Sequence, residues 1–118
     1  MPISREHCQL ITFGDPHLTP DQEDKLMEYV PGWSVLQDPA GNRLTKSFPF
    51  EDWTSAIDFV VRIAEQATYE NHHPVLTVSW GRVTAQWWSH KIFGLHRNDF
   101  IMACRTDHLF ESELPLFG

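Results

Sequence analysis

Residues 74–90, PVLTVSWGRVTAQWWSH, are the stretch that decides the fold. Apolar and polar residues alternate on both sides of Gly81, a pattern typical of two strands that each bury one face. A glycine at the first central position of a two-residue loop suits a type II′ turn, so we predict a hairpin with its turn at Gly81-Arg82. In that register one face is wholly apolar and consists of the pairs Leu76–Trp87, Val78–Ala85 and Trp80–Val83, while Thr77–Gln86 and Ser79–Thr84 occupy the other face.

The segments that flank this hairpin predict two helices. Asp52 can cap a long helix. Its apolar stripe comprises Trp53, Ala56, Ile57, Val60, Val61, Ala64 and Ala67. Phe59 and Ile63 broaden this stripe, so burial on two sides within one domain and burial against a partner subunit both stay open. The last helix is expected to begin near residues 96–98 and to end before Pro115.

The N-terminal half predicts a shorter helix and two more strands. Residues 19–22, TPDQ, form the start signal of a helix with a capping box. Strands are expected at residues 33–37 and 43–50, on either side of a turn at residues 38–42, and Lys46 interrupts the apolar face of the second strand. The order α-β-β-α-β-β-α predicts an α+β domain with a four-stranded antiparallel sheet and helices packed on one face.

Composition limits what kind of protein this is. The chain has 118 residues, with nine Lys and Arg against 16 Asp and Glu, and its net charge of −7 disfavours nucleic acid as a partner. No apolar run reaches the ~18 residues of a membrane span, and residues 1–7 lack the apolar core of a secretory signal. Cys8 and Cys104 are far apart and predict free thiols. We expect a cytoplasmic protein with one domain at residues 18–118, preceded by an irregular arm at residues 1–17.

Three histidines are the strongest candidates for chemistry. The predicted register places His73 opposite His90, and His72 adjoins His73, so three imidazoles converge where the second helix enters the hairpin. Histidine, with an ordinary pKa of ~6.5, can donate or accept a proton near neutral pH. The same face carries Trp88 beside polar side chains. This combination could hold a flat heterocycle.

These residues also admit simpler interpretations. A histidine pair alone is a weak signal of function. Three imidazoles could instead bind Zn²⁺, but His72 and His73 can bind one ion together only if the backbone bends. Asp99 can serve as a helix cap alone. Trp33 could lie in the core or border a pocket. Of the Trp87-Trp88 pair, one is expected in the core and the other exposed or at a pocket. The remaining histidines, His7, His17, His96 and His108, are expected at the surface.

Four spaced motifs carry a family resemblance. They are residues 48–53 (FPFEDW), 71–74 (NHHP), 87–90 (WWSH) and 94–103 (GLHRNDFIMA). Together they resemble the pterin-4a-carbinolamine dehydratases over about residues 18–107. The resemblance is closest to the bacterial members that accompany phenylalanine hydroxylase.

This resemblance implies an enzyme that dehydrates 4a-hydroxytetrahydropterin to quinonoid dihydropterin, and so recycles the tetrahydropterin cofactor of aromatic amino-acid hydroxylases. It implies no metal, no organic cofactor and an assembly of two or four copies. His72 and His90 then act as general acid and base, in an order left open, while His73 binds and orients the pterin beside them. Asp99 and Trp33 match family positions near the pterin. Trp88, which the predicted register places on the same face as His73 and His90, is added to these substrate-binding residues.

One departure and one alternative stay open. Many family members carry an acid four positions before the first histidine of the pair. Thr68 stands at that position here, and Glu70 is the nearest acid, so the acid's role is either vacant or moved to Glu70. The same fold also serves as a non-enzymatic scaffold, as a transcriptional cofactor or assembly chaperone. We place this alternative second because all three histidines are present.

Overall fold

The computed structural model describes residues 3–112 and has the predicted α+β architecture. Its elements are α1 (Pro20–Leu26), β1 (Ser34–Leu36), β2 (Arg43–Pro49), α2 (Trp53–Glu70), β3 (Val75–Ser79), β4 (Arg82–Trp87) and α3 (Arg97–Glu111), with short 3₁₀ turns at Ile3–Arg5, Met27–Tyr29 and His90–Ile92. The sheet is antiparallel in the order β1-β2-β4-β3, and α2 and α3 pack on its apolar face. Within residues 3–112, no helix is long and apolar enough to cross a membrane. Pro115, the predicted limit of the last helix, lies outside the described residues.

Each of the three helices begins where the sequence predicts. In α1, Oγ1 of Thr19 accepts from the N–H of Gln22 at 3.3 Å, and the Gln22 side chain accepts from the N–H of Thr19 at 2.9 Å. At the start of α2, Oδ1 of Asp52 accepts from the N–H of Ser55 at 2.7 Å. His96 caps α3. These side chains satisfy backbone amides that the first turn of a helix leaves unpaired, so each start is set by local sequence.

The register of the β3–β4 hairpin differs from the prediction by two residues. Its loop is Trp80-Gly81 rather than Gly81-Arg82, so Val78 pairs with Val83. Gly81 has a φ of +81°, which the second central position of a type II turn requires. The position of the loop follows from the pairing of β4 with β2. This pairing runs along the whole of β4 and includes Arg82, so Arg82 belongs to the strand and not to the loop.

The shift preserves one prediction and overturns another. A change of two residues keeps every side chain on its predicted face, so the apolar face of the hairpin is confirmed. Trp80, however, lies at the tip of the hairpin and is 80% exposed, instead of facing Val83. His90 lies beyond β4 in a 3₁₀ turn, so the predicted strand pair of His73 with His90 is wrong.

The buried stripe of helix α2 is narrower than the predicted apolar stripe. Its buried residues are Ala56, Phe59, Ile63 and Ala67. Phe59 and Ile63 therefore lie at the centre of the buried side rather than at its margin. Trp53 is 46% exposed and Val61 is 37% exposed in the single chain. Their burial against a partner subunit stays a prediction.

Lys46 stands on the apolar face of β2 and has a partly buried partner there. Its Nζ lies 2.8 Å from Oδ1 of Asp107 on α3. The indole N–H of Trp33 donates to the same carboxylate at 3.0 Å. Trp33 is itself only 4% exposed and packs edge-on against Phe48. The three polar groups satisfy one another at the margin of the core, which explains why the apolar pattern tolerates a lysine.

Candidate active site

One cleft of about 520 Å³ gathers three histidines at the C-terminal end of α2. Asn71 ends this helix in the left-handed conformation, with φ of +51°, and the N–H of His72 still donates to the carbonyl of Ala67 at 3.1 Å. The chain therefore bends sharply before it enters β3. His72, His73 and His90 all line the cleft, so the imidazoles converge as predicted, although His90 comes from the 3₁₀ turn after β4.

His72 is held by a buried carboxylate. Its Nε2 lies 2.6 Å from Oδ1 of Asp99, whose side chain is fully buried on α3. Oδ2 of Asp99 accepts from the hydroxyl of Ser89 at 2.8 Å and from the N–H of His96 at 3.0 Å. Because carboxylate oxygens accept, Nε2 carries the hydrogen of this bond and Nδ1 is left for another partner. The ring also stacks on Trp87, with planes 7° apart, so its orientation is set on two sides.

His90 has a different electrostatic setting. Its ring packs against Trp88 at 4.2 Å between centroids, and the guanidinium of Arg43 lies 3.9 Å from the Trp88 ring. Desolvation, with positive charge on His72 and Arg43, lowers the pKa of His90 below its ordinary value of 6.5, and Asp99 opposes this only in part. At neutral pH, His90 is therefore a neutral imidazole that can accept a proton.

The two tryptophans predicted to bind substrate do not line this cleft. Trp33 is buried against Phe48, as described above. The Trp87-Trp88 pair does not split between core and surface: Trp87 is fully buried and Trp88 is 7% exposed. Because Arg43 and His90 cover its ring, Trp88 supports His90 rather than facing the cleft.

The prediction that His96 lies at the surface is wrong. It is half-buried at the N-cap of α3, where its Nδ1 accepts from the N–H of Asn98 at 3.0 Å. Burial lowers the pKa of His96 below its ordinary value. His96 and Asp99 form a capping box, which confirms the predicted role of Asp99 at the start of this helix. Asp99 also contacts His72. His7, His17 and His108 are exposed, as predicted.

Glu70 lines the cleft, but its carboxylate is bonded to the N-terminal arm. Thr68, at the position where the acid was expected, is exposed and donates its hydroxyl to the carbonyl of Ala64 in its own helix. Oε1 of Glu70 accepts from the N–H of Cys8 at 2.7 Å, while Oε2 lies 2.9 Å from Nδ1 of His7 and 3.2 Å from Arg105. Burial raises the pKa of Glu70, but these contacts lower it by more, so the pKa lies below its ordinary value.

Sequence reasoning missed that residues 8–11 form part of the cleft wall. Both cysteines are free, as predicted, but Cys8 lies at the cleft. Burial and the neighbouring Glu70 raise the pKa of the Cys8 thiol to about 12, so it is a neutral thiol rather than a nucleophilic thiolate. The apolar residues Leu10 and Ile11 in an otherwise aperiodic arm were the only available signal.

The histidines are not arranged as a metal site. Within residues 3–112, no group of three or more His, Cys, Asp or Glu side chains could hold a metal ion. Nε2 of His72 is bonded to Asp99, which removes that nitrogen from any shared ligand set. The arrangement instead presents imidazoles with separate partners, which suits proton transfer.

Comparison with known proteins gives consistent matches. The family model described as pterin 4 alpha carbinolamine dehydratase matches residues 16–109. A relative from Syntrophotalea carbinolica is 38% identical over 109 residues, which covers 92% of this chain and 97% of the relative. A relative from Chlorobium limicola is 47% identical over 98 residues, with 83% and 86% covered. Both are assigned by name as pterin-4-alpha-carbinolamine dehydratases. The crystal structure of a transcriptional coactivator/pterin dehydratase from Brucella melitensis has a TM-score of 0.73 at 25% identity, covering 79% of this chain and 97% of that one.

Proposed function

Because the chain belongs to the pterin 4 alpha carbinolamine dehydratase family, we propose that it converts 4a-hydroxytetrahydropterin to quinonoid dihydropterin and water. The observation that carries this proposal is the meeting of His72, His73 and His90 in one cleft, with His72 held on Asp99. Such a dehydration is a hydro-lyase reaction that needs only proton transfer, and the cleft supplies groups for it.

The reaction requires one acid and one base. The C4a–O bond breaks, and the hydroxyl takes a proton from the acid to leave as water. The N5–H proton passes to the base as its electron pair forms the C4a=N5 double bond. The acid gives one proton and the base takes one, so the net charge of the protein does not change. A proton exchange with solvent then returns each group to its starting state. Each positioned group contributes typically ~10²–10⁴-fold.

The two settings favour a division of roles. His90 acts as the base, because its lowered pKa makes it neutral at pH 7. His72 acts as the acid through Nδ1, because the Asp99 carboxylate can balance the positive charge that an imidazolium carries before it releases its proton. His73, exposed at the cleft, binds and orients the pterin. Asp99 is a positioning residue that acts through His72.

Further assignments follow from the family resemblance. Contacts of Trp33, Trp88 and Asp99 with the pterin stay predictions, and none of these three side chains lines the cleft. The proposed context is recycling: another enzyme reduces the product to tetrahydropterin for an aromatic amino-acid hydroxylase such as phenylalanine hydroxylase. A cytoplasmic homodimer or homotetramer, free of metal and organic cofactor, is the proposed working form.

A dehydratase assay tests the proposal directly. The substrate is generated with phenylalanine hydroxylase, and the formation of quinonoid dihydropterin is followed with the wild type, His72→Ala and His90→Ala. The wild type should accelerate the reaction, and each variant should lose roughly 10²–10⁴-fold in kcat. His108→Ala, at an exposed histidine of α3 outside the cleft, is the matched control and should keep wild-type activity. A folded wild type that gives no acceleration over the spontaneous reaction would overturn the proposal.

A non-enzymatic scaffold is the second candidate. The name of the Brucella melitensis structure joins coactivator and dehydratase functions, which supports keeping this alternative for a chain of the same fold. An inactive wild type, folded and with its cleft intact, would favour it. The retained histidine cluster favours the enzyme, because a scaffold has no need of three imidazoles on one cleft.

A further inference from the structure

Residues 8–11, which we call the arm wall, form one side of the cleft and lie before residue 16, where the family match begins. We propose that the arm wall determines which substituent on the pterin ring the enzyme accepts, with preference for a short hydroxylated alkyl chain. This inference rests on the proposed function. It concerns the selection of substrate rather than the proton transfers.

The first observation is that buried groups hold the backbone of the arm wall. Glu70, with a side chain 3% exposed, accepts from the N–H of Cys8 at 2.7 Å. Asn98, 1% exposed, forms a reciprocal pair with the backbone of Gln9: its Oδ1 accepts from the N–H at 2.9 Å and its Nδ2 donates to the carbonyl at 2.8 Å. A buried asparagine and a buried glutamate are therefore used to fix two consecutive residues of an irregular segment.

Further contacts hold the arm on both sides of the arm wall. Before it, Arg105 donates to the carbonyl of Ser4 at 2.9 Å and to the carbonyl of Glu6 at 2.6 Å. At its end, Nζ of Lys91, beside the catalytic His90, donates to the carbonyl of Ile11 at 3.4 Å, and the Ile11 side chain is buried. The arm wall thus runs from α2 and α3 to the 3₁₀ turn of His90, alongside the reacting groups.

The second observation is that this fixed backbone presents exposed side chains to the cleft. Leu10 is 82% exposed and Gln9 is exposed as well, although both line the cavity. Two polar side chains beside the arm wall are already engaged, because Glu70 bonds the arm and Ser89 bonds Asp99. An apolar side chain and an amide therefore remain to meet a bound molecule.

The chemistry of the substrate places its substituent near this wall. In a pterin, C6 carries the side chain and is bonded to N5, the nitrogen that must give its proton to a histidine. A substituent at C6 therefore begins two bonds from a reacting atom and lies close to the residues that flank the histidines. Leucine can cover the alkyl part, and the glutamine amide can donate to and accept from hydroxyl groups. Both side chains would gain burial on binding.

Binding of stable analogues tests the inference without turnover. Two dihydropterins, one with a methyl group at C6 and one with a dihydroxypropyl chain at C6, are titrated calorimetrically into the full chain and into the double variant Gln9→Ala/Leu10→Ala. Both side chains are exposed, so the variant should fold. It should weaken the chain-bearing ligand by about 5- to 20-fold and the methyl ligand by less than about twofold. Leu36→Ala, at an exposed leucine of β1 that does not line the cleft, is the control and should change neither.

Each outcome decides something. An equal loss for both ligands, or no loss for either, overturns the arm wall as a selector. If the wild type binds both ligands but does not accelerate dehydration, the proposed function fails. The loss of affinity that the double variant shows for each ligand still tests the arm wall. If the wild type binds neither ligand, both proposals are overturned.

Discussion

Glu70 and Asp99 are both buried carboxylates next to His72, and their partners give them different roles. Asp99 receives Nε2 of His72 and the hydroxyl of Ser89, so it orients a cleft histidine while it caps α3. Glu70 receives the backbone of Cys8 and the guanidinium of Arg105, so it holds the N-terminal arm against the body. Burial alone does not show which role a carboxylate has; the groups that it accepts hydrogen bonds from do.

This comparison also answers the question that Thr68 raises. Both oxygens of Glu70 are in use toward the arm, so Glu70 does not stand in for an acid at position 68. The proposed proton chemistry therefore assigns roles to Asp99 and the histidines and none to Glu70. Four experiments, from the largest expected effect to the smallest, test this separation.

Asp99→Asn should have the largest effect on catalysis. The amide keeps the shape of the side chain but removes the charge that holds and balances His72, so kcat should fall ~10²-fold with a smaller change in KM. Steady-state kinetics across pH measure it, because a positioning role also alters the pH profile. Asp107→Asn, the control on the same helix, breaks the contact with Lys46 and should cost stability without a comparable loss of kcat. Equal losses of kcat in both variants would contradict a specific role for Asp99.

Glu70→Gln should act on the arm rather than on the chemistry. Stability should fall by about 1–3 kcal/mol, because Arg105 loses a charged partner, and KM should rise more than kcat falls. The pKa of Glu70 is lowered in the folded state, so its contribution is present above the ordinary value of 4.5 and is lost as pH falls through the folded pKa. Thermal melts from pH 7 to pH 3 should show the gap between wild type and variant closing only below about pH 4.5. A gap that is as large at pH 3 as at pH 7 would disprove this account.

Arg43→Met should shift the acid limb of activity. His90 must be neutral to act as the base, so kcat/KM should rise with pH through a pKa below 6.5. Removing the Arg43 charge while keeping an apolar stem over Trp88 should move that limb upward by less than about one pH unit, since desolvation is the larger cause. The pH profile of kcat/KM measures the shift. Arg82→Met, at an exposed position in β4, should leave the profile in place.

His7→Ala should have the smallest effect. His7 contacts Glu70 from the surface, with 68% of its side chain exposed, so solvent screens the pair. The free energy of unfolding should change by no more than about 0.5 kcal/mol in chemical denaturation. A loss as large as that of Glu70→Gln would mean that the arm is held mainly from its exposed side.

Local sequence was sufficient for most of the fold. The caps at Thr19 and Asp52 and the alternation in residues 74–87 each act within a few residues, so helix starts and strand faces could be predicted. The hairpin register could not, because pairing of β4 with β2, far away in sequence, outweighed the local preference for a turn at Gly81-Arg82. The convergence of His72, His73 and His90 was predicted despite this error. The two-residue shift in the hairpin register leaves all three near the same end of the sheet.

The sequence by itself therefore determined the α+β order, the helix caps, the apolar faces and the identity of the histidine cluster. Only the tertiary structure decided that Asp99 holds His72, that Trp88 lies under Arg43, and that Glu70 binds the N-terminal arm beside the cleft. The physical reason is range. Caps and alternation depend on neighbours along the chain, whereas each of these contacts joins groups from separate elements that meet only after the core has packed.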